Sequence, residues 1–195
     1  PFVVRYYPLL RIIENTGVPL GIELTGWSLE LLKKVSPEWI KSFQDLLSKN
    51  KCELIASGYS QIIGPLVPYQ VNLWNQKLGL ASYQRVLGIC PKIVLTNEMA
   101  FSNSLVDLYK EVKFEGLIMD RDNVRLALNQ EGKPISSMPV LAEGEQGSVL
   151  PVLWGDSVLF QKVLSLCETA DNRGCPPFLC LVPTDMGNIS QSNME

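Results

Sequence analysis

Carboxylate, amide and aromatic side chains follow several predicted strands of this chain. Asn97 and Glu98 come directly after the apolar segment KIVLT, and Tyr59 and Gln61 follow an earlier apolar segment. In an array of parallel strands and helices, side chains just after the strands form the active site. Carboxylates grouped with aromatic and amide groups suit a sugar, whose hydroxyls need hydrogen-bonding partners and whose ring face packs on an aromatic ring. The pattern predicts carbohydrate chemistry.

Three more candidate residues lie at the ends of strands that are predicted later in the chain. Asp120 follows the fourth strand, Trp154 follows the fifth and Asp185 follows the last. Asp120 either borders the site or pairs with a neighbouring arginine. Trp154 is the candidate for stacking on a sugar ring, whereas Trp27 and Trp74 lie on helical segments and are expected to be core or packing residues.

The most specific single candidate is Glu98. The apolar stretch 99–101 follows it and is expected to hold its carboxylate in a dry pocket, where it can act as nucleophile or general acid. The structural alternative is a carboxylate that interacts with the dipole of the helix beginning near Ser102. Asp185 is the candidate partner of Glu98, and its alternative role is that of an ordinary turn aspartate.

An alternation of apolar strands and helices positions these residues. Strands are predicted over 18–25, 52–56, 92–96, 115–119, 149–153 and 178–182. Helices are predicted over 8–15, 28–35, 36–49, 68–87, 102–113 and 157–169. Single strands separated by helices indicate βαβ units and a parallel sheet.

Local signals mark where these elements begin and end. Gly17 and Gly88 are expected to end helices, and Ser36 is expected to cap the helix that begins at Pro37. The regularity breaks over residues 121–150, which hold several glycines and prolines. This segment is predicted to be an irregular excursion, either a hairpin or a lid.

Composition limits the classes of function. The chain of 195 residues has a formal net charge of −3 and no basic tract, which argues against a nucleic-acid or anionic-membrane partner. It has no apolar run of the ~20 residues that cross a bilayer. The absence of histidine excludes Ser-His-Asp triads, His-liganded zinc and imidazole acid-base chemistry. Catalysis must then use carboxylates, Lys, Tyr, Ser or Cys, and no metal or cofactor is expected.

The cysteines indicate a cellular compartment. There are five of them, an odd number, without a CxxC pair. We interpret them as reduced thiols of a cytoplasmic protein rather than as a disulfide framework. The sequence leaves the oligomeric state open.

Three segments carry a resemblance to a known family. They are ELIASGYSQIIGPLVP, VLGICPKIVLTNEMAFS and YKEVKFEGLIMDRDN. In this order they resemble glycoside hydrolase family 57, which includes α-amylases, 4-α-glucanotransferases, branching enzymes and amylopullulanases. The resemblance extends over residues 5–125.

The resemblance implies an α/β fold with parallel strands, an incomplete (β/α)7 barrel of the glycoside hydrolase and deacetylase type. Residues 1–195 are then a single (β/α)-barrel domain or a fragment of one. The implied activity is retaining hydrolysis or transglycosylation of α-glucans, with an oligosaccharide or polysaccharide as the partner. Glu98 matches the family's nucleophile, and Asp185 stands in the order and context of its acid/base. The implied substrate-binding candidates are Tyr59, Gln61, Asn97, Asp120 and Trp154.

Two features depart from the family pattern. The family's first strand carries a histidine-containing motif, and we interpret this chain as opening on the helix that follows that strand. The family often has an acidic residue where Ser60 or Gln61 stands here. The alternative function is therefore a non-catalytic carbohydrate-binding or regulatory module on the same scaffold, and a third is a structural α/β domain. Polysaccharide deacetylases share a related barrel, but their Asp-His-His metal site cannot be built from these residues.

Overall fold

The computed structural model of the protein describes residues 6–120 and 139–155. Contacts divide the chain into two units, Pro1–Leu117 with Leu141–Pro151, and Ile118–Val140 with Val152–Glu195. The first unit contains the site candidates Tyr59, Gln61, Asn97 and Glu98. Asp120, Trp154 and Asp185 belong to the second unit.

Helices and strands alternate as the sequence predicts. The helices are α1 Tyr7–Thr16, α2 Gly26–Val35, α3 Pro37–Ser48, α4 Tyr69–Leu87 and α5 Asn103–Glu111. The strands are β1 Leu20–Leu24, β2 Cys52–Ala56, β3 Ile93–Leu95, β4 Gly116–Asp120, β5 Val140–Glu143 and β6 Val149–Gly155. Single 3-10 turns lie at Gly64–Leu66 and Asn97–Met99. The helix predicted over 157–169 and the strand predicted over 178–182 lie outside the described residues.

The strands form one mixed, mostly parallel sheet in the order β1-β2-β3-β4-β6-β5. β1 and β2 are parallel from Leu20 opposite Cys52 to Leu24 opposite Ala56, and β2 is parallel to β3. The short connection 144–148 joins the neighbours β5 and β6, so these two strands form an antiparallel hairpin. The end of the predicted excursion 121–150 is therefore a hairpin, and residues 121–138 lie outside the described part.

One face of β1 and β2 is buried in the core of the first unit. Ile22 and Leu24 on β1, and Leu54 and Ala56 on β2, are buried. Because side chains alternate along a strand, Glu23 projects from the opposite face of β1.

The helix ends test the local predictions. Gly17 and Gly88 end α1 and α4 in the left-handed conformation, at φ 69° and 76°, as predicted. Ser36 occupies the N-cap position before Pro37 as predicted, but its hydroxyl makes no cap hydrogen bond. The Ser36 carbonyl accepts the Trp39 N–H at 3.1 Å, and the hydroxyl instead lies 2.9 Å from the Tyr7 hydroxyl on α1.

Candidate functional site

The carboxyl ends of β1, β2 and β3 meet at one edge of the sheet because these strands are parallel neighbours. The segments that follow the three strands provide the candidate side chains of the first unit. They are Thr25–Trp27, Ser57–Gln61 and the turn Asn97–Met99. The geometry of the edge is fixed by a few buried polar contacts.

Tyr83 on α4 joins the ends of β1 and β2. The residue is fully buried, and its hydroxyl lies 2.7 Å from the Leu24 carbonyl and 3.0 Å from the Gly58 carbonyl. The same oxygen accepts the Ser57 N–H at 3.2 Å. Burial raises the pKa of Tyr83 above its ordinary value, which keeps the phenol protonated as a donor. Tyr83 therefore sets the distance between the two strand ends.

The loop after β2 lies directly against α4. Gly58 has φ 81°, a conformation that favours glycine. A Cβ at Gly79 on α4 would lie 2.6 Å from the Gly58 carbonyl carbon and 2.9 Å from the Tyr59 nitrogen. The Asn75 side chain accepts the Ser60 N–H at 2.8 Å and donates to the Ser60 carbonyl at 3.0 Å. The close approach of loop and helix therefore requires both glycines.

Glu98 occupies a strained turn directly after β3. Glu98 and Met99 both have φ 52°, which costs on the order of 1–3 kcal/mol for each non-glycine residue. The turn is closed by the Met99 N–H on the Thr96 carbonyl at 2.9 Å and by the Ala100 N–H on the Asn97 carbonyl at 3.1 Å. Such conformations cluster at functional sites. Sequence reasoning could not find the strain, because no glycine marks the turn.

The environment of Glu98 differs from the expected dry pocket. The residue is exposed, and residues 99–101 are half-buried. The left-handed turn carries the carboxylate out of the apolar stretch. Gln61 nevertheless contacts it, since Gln61 Nε2 donates to Glu98 Oε1 at 3.0 Å. Two predicted site residues that are 37 positions apart in the sequence are thus brought together.

Asn97 holds the turn to the loop after β2. Its Nδ2 donates to the Ser57 carbonyl at 3.0 Å and to the Ile62 carbonyl at 3.2 Å. The residue is 6% exposed, and its Oδ1 has no hydrogen-bond partner among the described residues. Both amide hydrogens are used within the protein, so the arrangement suits a residue that positions its neighbours.

Glu23 adds a second carboxyl group at this edge. The sequence alone does not show to which face of β1 this side chain points. The Ser57 hydroxyl donates to its Oε1. Although the residue keeps exposed surface, desolvation of its carboxyl raises the pKa of Glu23, and the Ser57 hydrogen bond opposes part of that rise. The same carboxylate contributes to the raised pKa of Tyr6, after burial of that phenol.

Neither helical tryptophan lies in the core, because Trp27 is 56% and Trp74 63% exposed, although Trp27 has the packing contact that the alternative prediction allows. The Tyr59 ring packs edge-on against Trp27, with centroids 6.5 Å apart. Its hydroxyl lies 3.5 Å from Glu30 Oε2. Helical position alone did not reveal which side of the helix faces the protein.

The remaining candidates are in the second unit. Asp120 is buried at the end of β4, and Trp154 is 5% exposed in β6. Trp154 Nε1 has no hydrogen-bond partner within the described part of the chain. Asp185 lies outside the described residues. The roles predicted for these three residues stay predictions.

Within residues 6–120 and 139–155, no group of three or more His, Cys, Asp or Glu side chains is arranged to hold a metal ion. None of the helices in this part has the length and apolarity needed to cross a bilayer.

Comparisons with known proteins give concordant results. An α-amylase of Pyrococcus horikoshii is 24% identical over 116 residues, which are 59% of this chain and 18% of that protein. A 4-α-glucanotransferase of Thermococcus litoralis matches with a TM-score of 0.72 and 19% identity, over 90% of this chain and 28% of that one. A branching enzyme of Pyrococcus horikoshii matches with a TM-score of 0.58 and 13% identity, over 80% of this chain and 41% of that one. The chain thus spans only a part of the relatives that it matches.

The chain has the fold of the family 57 barrel enzymes, and its sequence also matches that family. The family described as Glycosyl hydrolase family 57 matches residues 5–163. This match covers most of the chain and includes the strand ends around Tyr59 and Glu98. The chain belongs to glycosyl hydrolase family 57.

Proposed function

We propose that the chain forms part of a retaining glycoside hydrolase or transglycosylase that acts on α-glucans, with Glu98 as nucleophile. The observation that carries the proposal is the exposed Glu98 carboxylate, which lies in a strained turn and accepts a hydrogen bond from Gln61. Its position directly after a parallel strand agrees with the family, whose relatives include an α-amylase and a 4-α-glucanotransferase.

In the proposed reaction, a Glu98 oxygen attacks the anomeric carbon. A bond forms between this oxygen and the carbon while the glycosidic bond breaks, and the leaving oxygen takes a proton from the acid. In the second step the same residue, now deprotonated, acts as a base and removes a proton from water or from a sugar hydroxyl. The oxygen of that water or hydroxyl attacks the anomeric carbon, and the bond from this carbon to Glu98 breaks. We assign the acid/base role to Asp185 from the order of the family motifs.

Gln61 holds the Glu98 carboxylate in one orientation for the first step, and its amide donor stabilises the negative charge that returns to Glu98 when the carboxylate leaves in the second step. Asn97 positions the turn through its bonds to the loop after β2. Tyr59, Asp120 and Trp154 are proposed to contact the sugar. Since Trp154 is 5% exposed, stacking on it requires its ring to become accessible when substrate binds.

Glu98→Gln tests the proposal. The amide is nearly isosteric but cannot form the covalent intermediate, so we expect turnover of maltooligosaccharides to fall on the order of 10³-fold or more, with an unchanged unfolding temperature. Glu53→Gln, an exposed carboxylate near the amino end of β2, is the matched control. Undiminished turnover by Glu98→Gln would remove Glu98 from the mechanism. Binding of glucan without any turnover by the unaltered chain would favour the non-catalytic binding module.

We also propose a cytoplasmic location. Of the cysteines that the structure describes, Cys52 and Cys90 are both free thiols. Burial raises the pKa of Cys52 to about 11, which keeps it as an unreactive thiol. Cell fractionation tests the location, and recovery of the chain from the extracellular medium would contradict it.

A further inference from the structure

The first half of α4 buries three amide side chains and exposes two large apolar ones, although Leu73 is buried. Asn72, Asn75 and Gln76 are buried, whereas Val71 and Trp74 are more than half exposed. The polar side is used to hold the loop after β2, as the two hydrogen bonds between Asn75 and Ser60 show. The helix therefore turns Val71 and the large ring of Trp74 to solvent, and exposed apolar surface that continues onto neighbouring residues marks a binding surface.

Trp27 lies next to this helix face across the same loop. The backbone N–H of Trp27 donates to the Tyr59 carbonyl at 2.9 Å, and the backbone N–H of Tyr59 donates to the Asn75 carbonyl at 2.9 Å. The Tyr59 backbone thus lies between Trp27 and the residue that follows Trp74. We call Trp27, Tyr59 and Trp74 the aromatic platform.

The aromatic platform is continuous with the candidate site. Trp27 follows β1 and Tyr59 follows β2, so both lie at the same edge of the sheet as Glu98. Gln61, two positions after Tyr59, makes the hydrogen bond to Glu98. Trp27 and Tyr59 therefore belong to the same set of strand-end segments as Glu98, and the Tyr59 N–H on the Asn75 carbonyl links them to the part of α4 that carries Trp74.

The border of the aromatic platform carries a hydrogen-bond acceptor. Glu30 Oε1 accepts from Ser82 Oγ at 2.7 Å and pairs with Arg85. Glu30 Oε2 has the Tyr59 hydroxyl at 3.5 Å, which is longer than an ordinary hydrogen bond between oxygens. This oxygen is placed to accept a second hydroxyl. Flat rings beside a carboxylate acceptor fit a sugar better than an aliphatic protein surface.

We propose that the aromatic platform binds an α-glucan chain away from the reacting bond, with pyranose faces on Trp27 and Trp74 and a sugar hydroxyl on Glu30. The choice of an α-glucan rests on the proposed function. The surface itself rests on the exposed rings of Trp27 and Trp74 and on the contacts of Tyr59 with Trp27 and with α4.

The test measures binding of the 195-residue chain to amylose by its retardation in native gels that contain the polysaccharide. Trp27→Ala and Trp74→Ala are each expected to weaken binding about three- to tenfold, the effect of losing one stacked ring, and the double variant more. Leu141→Ala on β5, a residue that is 71% exposed, is the control and should bind as the unaltered chain does. Circular dichroism checks that each variant is folded.

Three results would overturn the proposal. They are no retardation of the unaltered chain, unchanged retardation of the double variant, and a double variant that changes only its oligomeric state in size-exclusion chromatography. The last result would make the surface a contact between protein chains. The same series in the Glu98→Gln background separates the two proposals, because retardation reports on the aromatic platform whether or not Glu98 carries turnover.

Discussion

Glu98 combines three properties that rarely coincide in a residue of purely structural importance. It adopts φ 52° without being glycine, its carboxylate reaches solvent, and an amide from a distant loop donates to it. A partner of a helix dipole would need none of these. The strain is maintained by the bonds of Asn97 to the loop, so the turn is held by the surrounding structure rather than by its own sequence.

Gln61→Ala tests the contact at 3.0 Å between Gln61 Nε2 and Glu98 Oε1. The contact orients the nucleophile, and a misplaced nucleophile costs up to about a hundredfold in rate, so kcat/KM should fall about ten- to a hundredfold, with little change in the free energy of unfolding. Gln70→Ala, an exposed glutamine on α4, is the matched control. Equal activity of both variants would mean that the contact does not support catalysis.

Glu23 predicts a pH dependence of stability. Its pKa is raised in the folded chain by desolvation, so the folded state binds the proton more tightly than the unfolded state does. The free energy of unfolding should therefore fall as the pH rises from the ordinary carboxyl value through the raised value. Urea unfolding of Glu23→Gln over this range should show a smaller fall, while Glu53→Gln should follow the unaltered chain. Parallel curves for all three would contradict the role of Glu23.

At the scale of the elements, two close contacts hold a loop against a helix. The loop after β2 approaches α4 at Gly79, and the hairpin of β5 and β6 approaches α5 at Asp107. The carboxylate of Asp107 accepts the Gln146 N–H at 3.0 Å and the Ser148 N–H at 3.3 Å. Neither contact is visible in the periodicity of the helices, because each depends on a residue type that suits many other positions.

Gly79→Ala is expected to destabilise the fold. The new Cβ would lie 2.6 Å and 2.9 Å from backbone atoms of Gly58, which cannot move as a side chain end can. Overpacking of this kind costs about 1–3 kcal/mol, which thermal unfolding can measure. Leu78→Ala, at the neighbouring exposed position, should change stability less. A Gly79→Ala variant as stable as the unaltered chain would show that loop and helix can separate at little cost.

Asp107 predicts the opposite pH dependence from Glu23. Burial by itself raises the pKa of Asp107, but hydrogen bonds from the hairpin outweigh this effect and hold the pKa below its ordinary value. The stability that these bonds contribute is present above the ordinary carboxyl pKa and is lost as the pH falls through the lowered value. Asp107→Asn should be less stable near neutral pH and should lose less stability on acidification. Asp45→Asn, on the exposed side of α3, is the control, and identical acid unfolding of all three chains would contradict the account.

At the scale of the whole molecule, the periodic elements could be predicted and the contacts between them could not. β2 was predicted at its observed bounds, Cys52–Ala56, because a buried strand with flanking turn residues has few alternatives. The carboxyl-terminal ends of α1 and α4, at Gly17 and Gly88, follow from the ease with which glycine adopts the left-handed conformation. The exposure of Trp74 could not be predicted, because α4 buries asparagine and glutamine side chains instead. Their burial depends on contacts with a loop that is distant in the sequence.

The same reasoning explains the result for the site. Glu98, Asn97, Gln61 and Tyr59 were found because parallel strands present their carboxyl ends at one edge. The strain at Glu98 and the positions of Trp27 and Glu23 depend on packing between elements, which residue order does not encode locally. The family match over residues 5–163 agrees with the part of the prediction that rested on motifs.

The most direct test of the central claim is to trap the covalent intermediate. A fluorinated α-glucosyl or maltosyl fluoride forms a slowly hydrolysed ester with the nucleophile of a retaining enzyme. Peptide mass spectrometry of the labelled chain should place the sugar on Glu98, and Glu98→Gln should remain unlabelled. A sugar attached to another carboxylate, or turnover of the fluoride without a label at Glu98, would contradict the assignment of Glu98 as the nucleophile.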